Sequence, residues 1–163
     1  MRAKLGLILF GILLLLVIGF IFRQSLQGGE ESRAKSDVIV EAVEPVVEPL
    51  LKPELSEWKI HKSISFVVRK AAHLFEFAVL GICACGFFVF LSKCRNRRYR
   101  GWQLLLCFAV ACCDETIQSF TGRSNSVKDV MLDFVGSVMG ILLVLLVVYL
   151  VRERKRGEAQ CPN

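Results

Sequence analysis

The sequence lacks the features that mark most soluble enzymes and zinc-binding modules. Its seven cysteines form no CxxC pair, and none has a histidine at zinc-ligand spacing. There is no HExxH segment, no serine nucleophile in a defined elbow, and no glycine-rich loop that would hold a phosphate. Most cysteines fall in apolar stretches, where cysteine behaves as a small hydrophobe, so a disulfide framework is not expected.

Charge is also missing over long stretches of the chain. Of the 163 residues, 54% are hydrophobic, and they concentrate in runs that approach or exceed the roughly 18–20 residues of a membrane-spanning helix. The net charge of +6 comes from short basic blocks at the ends of these runs, where such residues set membrane topology. The composition predicts a protein in contact with the lipid bilayer and argues against a nucleic-acid partner.

Four apolar runs predict an all-α, polytopic bundle of four transmembrane helices in one domain, residues 1–163. The predicted helices cover about residues 5–22, 65–91, 102–120 and 130–151. An outer loop is predicted over residues 23–63 and a basic cytoplasmic tail over residues 152–163. The first run could also be a signal peptide, but bulky residues stand where a cleavage site would have small ones, which favours an uncleaved helix.

Part of the loop over residues 23–63 has a helical pattern. One face would carry Ile39, Val43, Val46 and Leu50, although two prolines would kink or interrupt such a helix. The pattern fits a short amphipathic segment on the membrane surface or against the bundle. It fits a solvated loop with a few valines equally well.

Lysine and arginine predict the orientation of the bundle. Residues 93–100 contain five basic residues and no acid, and residues 152–156 add four more. The positive-inside rule places both blocks and the N-terminus in the cytoplasm. The acidic loop 23–63 and the turn 121–128 then face outside, which gives an N-in/C-in topology.

This topology brings polar residues of three helices to one outer level. They are Arg69, Lys70, His73, Glu76, Asp114, Glu115, Gln118, Arg123, Asp129 and Asp133. On the last helix the two aspartates share a stripe with Gly136 and Gly140, a small-residue seam that lets helices approach closely. The carboxylates on that stripe should therefore face the bundle and not lipid.

Each of these residues also has a purely structural interpretation. His73 could be an interfacial histidine, Lys70 could extend to lipid head groups, and Asp114 could lie at a helix end in water. Their joint placement is less easily explained this way, because ionisable groups at membrane depth are expensive and usually functional. The pattern therefore favours an outer site.

The chemistry of such a site stays open at this point. It could share protons, bind a divalent metal or hold a polar head group, and no resident cofactor is predicted. Catalytic candidates are His73 as general base with Glu76, Asp114 and Glu115. The binding candidates are Arg69, Lys70, Gln118, Arg123, Asp129 and Asp133.

Two segments resemble the motifs of VanZ-like proteins. KAAHLFEFAVLG, residues 70–81, is similar to their K-x-x-H-x-x-x-[FY]-x-x-L-G segment, and DETIQSFTGRSNSVKDVMLDFVGSVMG, residues 114–140, resembles their second segment. The matching positions are Lys70, His73, Phe77, Asp114, Glu115, Gln118, Arg123, Asp129, Asp133, Gly136 and Gly140. The chain departs from the pattern at Asp133, where asparagine is frequent, and at Thr121, where proline is frequent.

The resemblance implies a small bacterial multi-pass protein of the cell envelope, in a family whose type member is linked to resistance to teicoplanin. It is consistent with an outer site that engages a lipid or a cell-wall precursor. A membrane-embedded hydrolase or transferase is the alternative. A small transporter ranks third, because the inner halves of the second and fourth predicted helices carry no charge.

Overall fold

In a computed structural model of the chain, the described residues form four long helices. The structure describes residues 1–27, 37–38, 40–41, 57–99, 101–121 and 126–160. The helices are α1 (Arg2–Ser25), α2 (Glu57–Arg95), α3 (Trp102–Phe120) and α4 (Val127–Gln160). The described residues include no strand, so the prediction of an all-α protein is confirmed for them.

The helices extend beyond the apolar runs that predicted them. Helix α2 begins at Glu57, within the predicted loop 23–63, and α4 continues to Gln160, into the predicted tail 152–163. Apolar sequence marks only the part of a helix that suits the bilayer, whereas lysine, arginine and glutamate are good helix formers and can continue the helix in polar surroundings.

Within the described part of the chain, three helical segments are long and apolar enough to cross a membrane. They are Arg2–Ser25, His61–Arg95 and Val127–Arg154. Helix α3 has 19 residues but is not among them, because Asp114, Glu115 and Gln118 make its C-terminal part polar. The fourth span therefore stays a prediction.

A few close contacts show which helices run parallel and which run antiparallel. Gly6 of α1 faces Phe90 of α2 and Gly11 faces Phe87, so these two helices are antiparallel. Helices α2 and α4 run in the same direction, since Gly136 lies against Leu74 and Gly140 against Ala78. Helix α3 packs against both in the opposite direction, and Phe108 contacts Phe134 of α4 edge to face, with ring centroids 5.5 Å apart.

A second small apolar contact lies near the start of α2. Residues 37–38 and 40–41 are helical, and Val40 is fully buried against Ile64 and Val68. Asp37 Oδ1 lies 3.4 Å from His61 Nε2. The amphipathic face predicted for Ile39, Val43, Val46 and Leu50 lies outside the described residues.

Candidate functional site

Asp114 is a fully buried polar side chain of α3 and lies within the apolar core. It is 0% exposed. The Gln118 Nε2 atom, one helical turn further along, donates to its Oδ2 at 2.7 Å, and Ser25 donates to its Oδ1 from the end of α1. Both oxygens of this carboxylate therefore accept a hydrogen bond from a neutral donor.

Ser25 was not identified by the sequence analysis as part of this group. Its hydroxyl also lies 3.0 Å from the carbonyl oxygen of Ile21, but a hydroxyl has one proton and the carboxylate is the stronger acceptor, so we assign the proton to Asp114. Thr121 Oγ1 lies 2.9 Å from the carbonyl oxygen of Gln118 and 3.2 Å from that of Ser25, and its single proton is donated to one of them at a time. The end of α1 is thus joined to α3 through the Ser25–Asp114 hydrogen bond, with Thr121 close by.

His73 and Asp133 form a second pair, between α2 and α4. His73 Nδ1 lies 3.7 Å from Asp133 Oδ1, and Asp133 is 1% exposed. The Ser137 hydroxyl donates to the Asp133 backbone carbonyl at 3.3 Å, so it leaves the carboxylate itself available. The face that Asp133 shares with Gly136 is the one that packs on α2, which is why its side chain is buried.

The two pairs meet at one point inside the bundle. His73, Asp114 and Asp133 each offer one possible ligand atom, and these atoms lie within 4.8 Å of one another. The three residues come from α2, α3 and α4. The arrangement could hold a metal ion, share a proton or bind a polar group.

An ion pair forms the more exposed edge of the same region. Lys70 of α2 pairs with Asp129 of α4, with side chains that are 28% and 26% exposed. The Lys70 ammonium also lies over the ring of Phe66, 5.4 Å from its centroid. From the sequence alone, Lys70 could extend to lipid head groups. In the structure it forms an ion pair with Asp129.

The remaining sequence candidates occupy different positions. Glu115 is 4% exposed, and its Oε2 is buried with no hydrogen-bond partner in the described part of the chain. Arg69 Nε donates to the carbonyl oxygen of Ser65, one turn earlier on α2, at 3.4 Å. Glu76 is partly buried, and Arg123 lies outside the described residues.

Glycines bring the two helices of the His73–Asp133 pair together. A Cβ atom added to Gly136 would overlap the carbonyl oxygen of Leu74, and one added to Gly140 would overlap that of Ala78. On the opposite helix, a Cβ at Gly81 would overlap the carbonyl oxygen of Ser137. Backbones in direct contact leave no room for helix α4 to rotate Asp133 away from His73.

Comparison with known proteins gives one match. The sequence profile of the family described as VanZ/LLP1 matches residues 10–149. This range includes every described residue of the polar group. No curated protein and no solved structure matches the chain.

Proposed function

Because the chain belongs to the VanZ/LLP1 family, we propose that it is a multi-pass envelope protein whose polar site binds the head group of a lipid or cell-wall component. The observation that carries the proposal is the convergence of His73, Asp114 and Asp133 inside an otherwise apolar bundle. Buried ionisable groups in a membrane protein are costly to maintain, and they usually mark a site of binding or chemistry.

The distribution of basic residues supports an outward-facing site. Helix packing puts the start of α1, with Arg2 and Lys4, beside the end of α2, which is followed by Arg97 and Arg98. Helix α4 runs parallel to α2, so its basic end, from Arg152 onward, lies at the same side. The polar site is at the opposite end, which by the positive-inside rule is the outer one.

The division of the site into an edge and an interior supports a polar ligand at the membrane surface. The Lys70–Asp129 pair is about one quarter exposed and offers a charge of each sign to an approaching head group. Behind it, Asp114 and Asp133 are almost fully buried. A zwitterionic or phosphate-bearing head group can meet the edge first and then exchange contacts with the interior.

The orientation of the helices in the membrane is tested with reporter proteins fused at two positions of the chain. Alkaline phosphatase joined after Thr121 should be active, because this enzyme requires export, and green fluorescent protein joined after Gln160 should fluoresce, because it requires the cytoplasm. The reverse pattern would place the site inside the cell and exclude binding of an outer-leaflet ligand there. Fusion of each reporter at the other position is the control for expression.

The function is tested by susceptibility to a glycopeptide of the teicoplanin type. Alanine is introduced separately at His73, Glu76, Asp114, Glu115, Arg123 and Asp133 in a strain in which the chain lowers susceptibility, with membrane levels measured for each variant. We expect the variants at His73, Asp114 and Asp133 to lose the effect. Alanine at the exposed Cys94, at the opposite end of α2, should leave it unchanged. Wild-type susceptibility in all six variants would make the polar group structural.

A membrane-embedded hydrolase or transferase is a second candidate, favoured by the His73–Asp133 pair. The Asp133 carboxylate lies 3.7 Å from His73 Nδ1, beyond hydrogen-bond distance, and closure of this gap on substrate binding would let it orient the ring as a general base for a water or hydroxyl at the other nitrogen. Conversion of a labelled lipid-linked substrate by the purified protein, lost in the variant His73→Gln, would identify this activity. Binding without turnover would favour the first proposal.

A further inference from the structure

Three side chains at the interior of the polar site have the composition of a metal-binding group. His73, Asp114 and Asp133 each supply one atom, and the three atoms are within 4.8 Å of one another. One imidazole with two carboxylates suits divalent cations of intermediate hardness, such as Mn²⁺ or Zn²⁺. Ligands around such an ion, at bonds of roughly 2.0–2.2 Å, are closer together than this, so the side chains would move inward by about 1 Å.

A buried oxygen atom gives an independent indication of a ligand. Asp133 is 1% exposed, and its Oδ2 has no hydrogen-bond partner among the described residues. Its Oδ1 faces His73. A buried carboxylate oxygen without a donor is unfavourable, because the water that it loses on burial is not replaced. A cation coordinated by this carboxylate would replace that water.

The charges of the two aspartates also favour a bound cation. Two aspartates at this separation repel each other strongly where the dielectric constant is low. Two of the hydrogen bonds to Asp114, from Ser25 and Gln118, come from neutral groups. Lys70, the nearest lysine on α2, is paired with Asp129 at the edge of the site. A divalent cation at the centre would offset both aspartates.

We propose that His73, Asp114 and Asp133 form a binding site for one divalent cation of the Mn²⁺ or Zn²⁺ class. Ser25 and Gln118 orient the Asp114 carboxylate from outside the coordination sphere, each using one lone pair of an oxygen and leaving another for the metal. Three protein ligands leave further positions for water or for an oxygen of a bound molecule. The cation site does not depend on the head-group proposal, which can fail while the metal still binds.

The test uses the full-length protein in detergent, purified through an affinity tag without histidine and treated with a chelator. Mn²⁺ is then added, and its free concentration is followed by electron paramagnetic resonance. One Mn²⁺ per chain is expected to bind. Pulsed measurements should detect a nitrogen nucleus coordinated to the bound Mn²⁺, since the proposed site contains an imidazole. Zn²⁺ should displace the Mn²⁺.

Matched variants distinguish coordination at this site from nonspecific binding of cations to acidic residues. The chain has two histidines, so His73→Ala should remove the nitrogen signal while His61→Ala leaves it intact. Asp133→Asn keeps the size of the side chain and should weaken binding by at least about 100-fold. Asp129→Asn, at the edge, should change it by less than about threefold. Ser25→Ala should weaken binding by about 10–100-fold, as loss of an outer contact does.

Several results would overturn the proposal. One is binding by the wild type that is no stronger than binding by Asp133→Asn, in protein that elutes as a single species with unchanged helix content. Another is a nitrogen signal that persists in His73→Ala or disappears in His61→Ala. Equal weakening by Asp129→Asn and Asp133→Asn would show diffuse attraction to acidic residues instead of coordination. Because His73 is partly exposed, its alanine variant remains informative even if an aspartate variant misfolds.

Discussion

Helix α1 is held to its neighbours by different contacts at the two ends of this bundle. At the end near the N-terminus, Gly6 and Gly11 of α1 pack against phenylalanine rings of α2, and Phe10 stacks on Phe90 with ring centroids 5.6 Å apart. At the other end, α1 is joined to α3 through the Ser25–Asp114 hydrogen bond. Helix association in lipid relies on close packing, because lipid tails are as apolar as leucine.

The comparison bears on why the polar end contains buried carboxylates. At the apolar end, glycines and aromatic rings form the contacts between α1 and α2. The polar end contains three nearly fully buried carboxylates, Asp114, Glu115 and Asp133. Replacement of buried ionic groups by well-packed apolar ones is often neutral or stabilising. Stability alone therefore does not explain these carboxylates, which agrees with the binding role proposed for them.

The largest effect on stability should come from removing the acceptor at the centre of the polar end. In Asp114→Ala, the buried Gln118 donor loses its partner and the Ser25 hydroxyl keeps only the Ile21 carbonyl, at a cost of about 1–3 kcal/mol for each donor left unsatisfied. Unfolding in mixed micelles by increasing fractions of a denaturing detergent measures the change. The exposed Cys113→Ala on the same helix should alter stability by less than about 0.5 kcal/mol. Equal stability of the two variants would mean that both donors find new partners.

A smaller loss is expected where the helix backbones touch. Gly140→Ala puts a methyl group onto the carbonyl oxygen of Ala78 and should destabilise the protein by about 1–3 kcal/mol, because α2 and α4 must move apart. The same denaturing-detergent titration measures it. Gly19→Ala is the matched control, since nothing lies within 4 Å of the added methyl group. If both variants behaved alike, the glycine contact would not determine the spacing of the two helices.

The smallest effect is expected at the exposed edge of the polar end. Lys70→Ala and Asp129→Ala should each change stability by less than about 1 kcal/mol, because partly exposed ion pairs contribute little. A double-mutant cycle measures the coupling between them. Coupling of several kcal/mol would make this pair a structural element and weaken the distinction between the two ends. Weak coupling with altered susceptibility to a glycopeptide would assign the pair to ligand binding.

Much of the architecture could be predicted from the order of residues. Apolar runs predicted helices at all four positions, and the resemblance to VanZ-like proteins is confirmed by the family match over residues 10–149. The helix ends were less predictable, as Glu57 and Gln160 show, because hydrophobicity does not mark where a polar helix stops. The N-in/C-in topology and the fourth span stay predictions that the reporter fusions address.

The polar site was also predictable only in part. Helical periodicity alone put Asp129, Asp133, Gly136 and Gly140 on one face of α4, because spacing along a helix determines its faces. Which residue a face meets depends on the depth and rotation of each neighbouring helix. Only the tertiary structure could therefore bring Ser25 to Asp114 and Lys70 to Asp129, and place His73 beside Asp133. Glycine contacts between α2 and α4 set that depth and rotation, because helix backbones in direct contact cannot slide or turn freely.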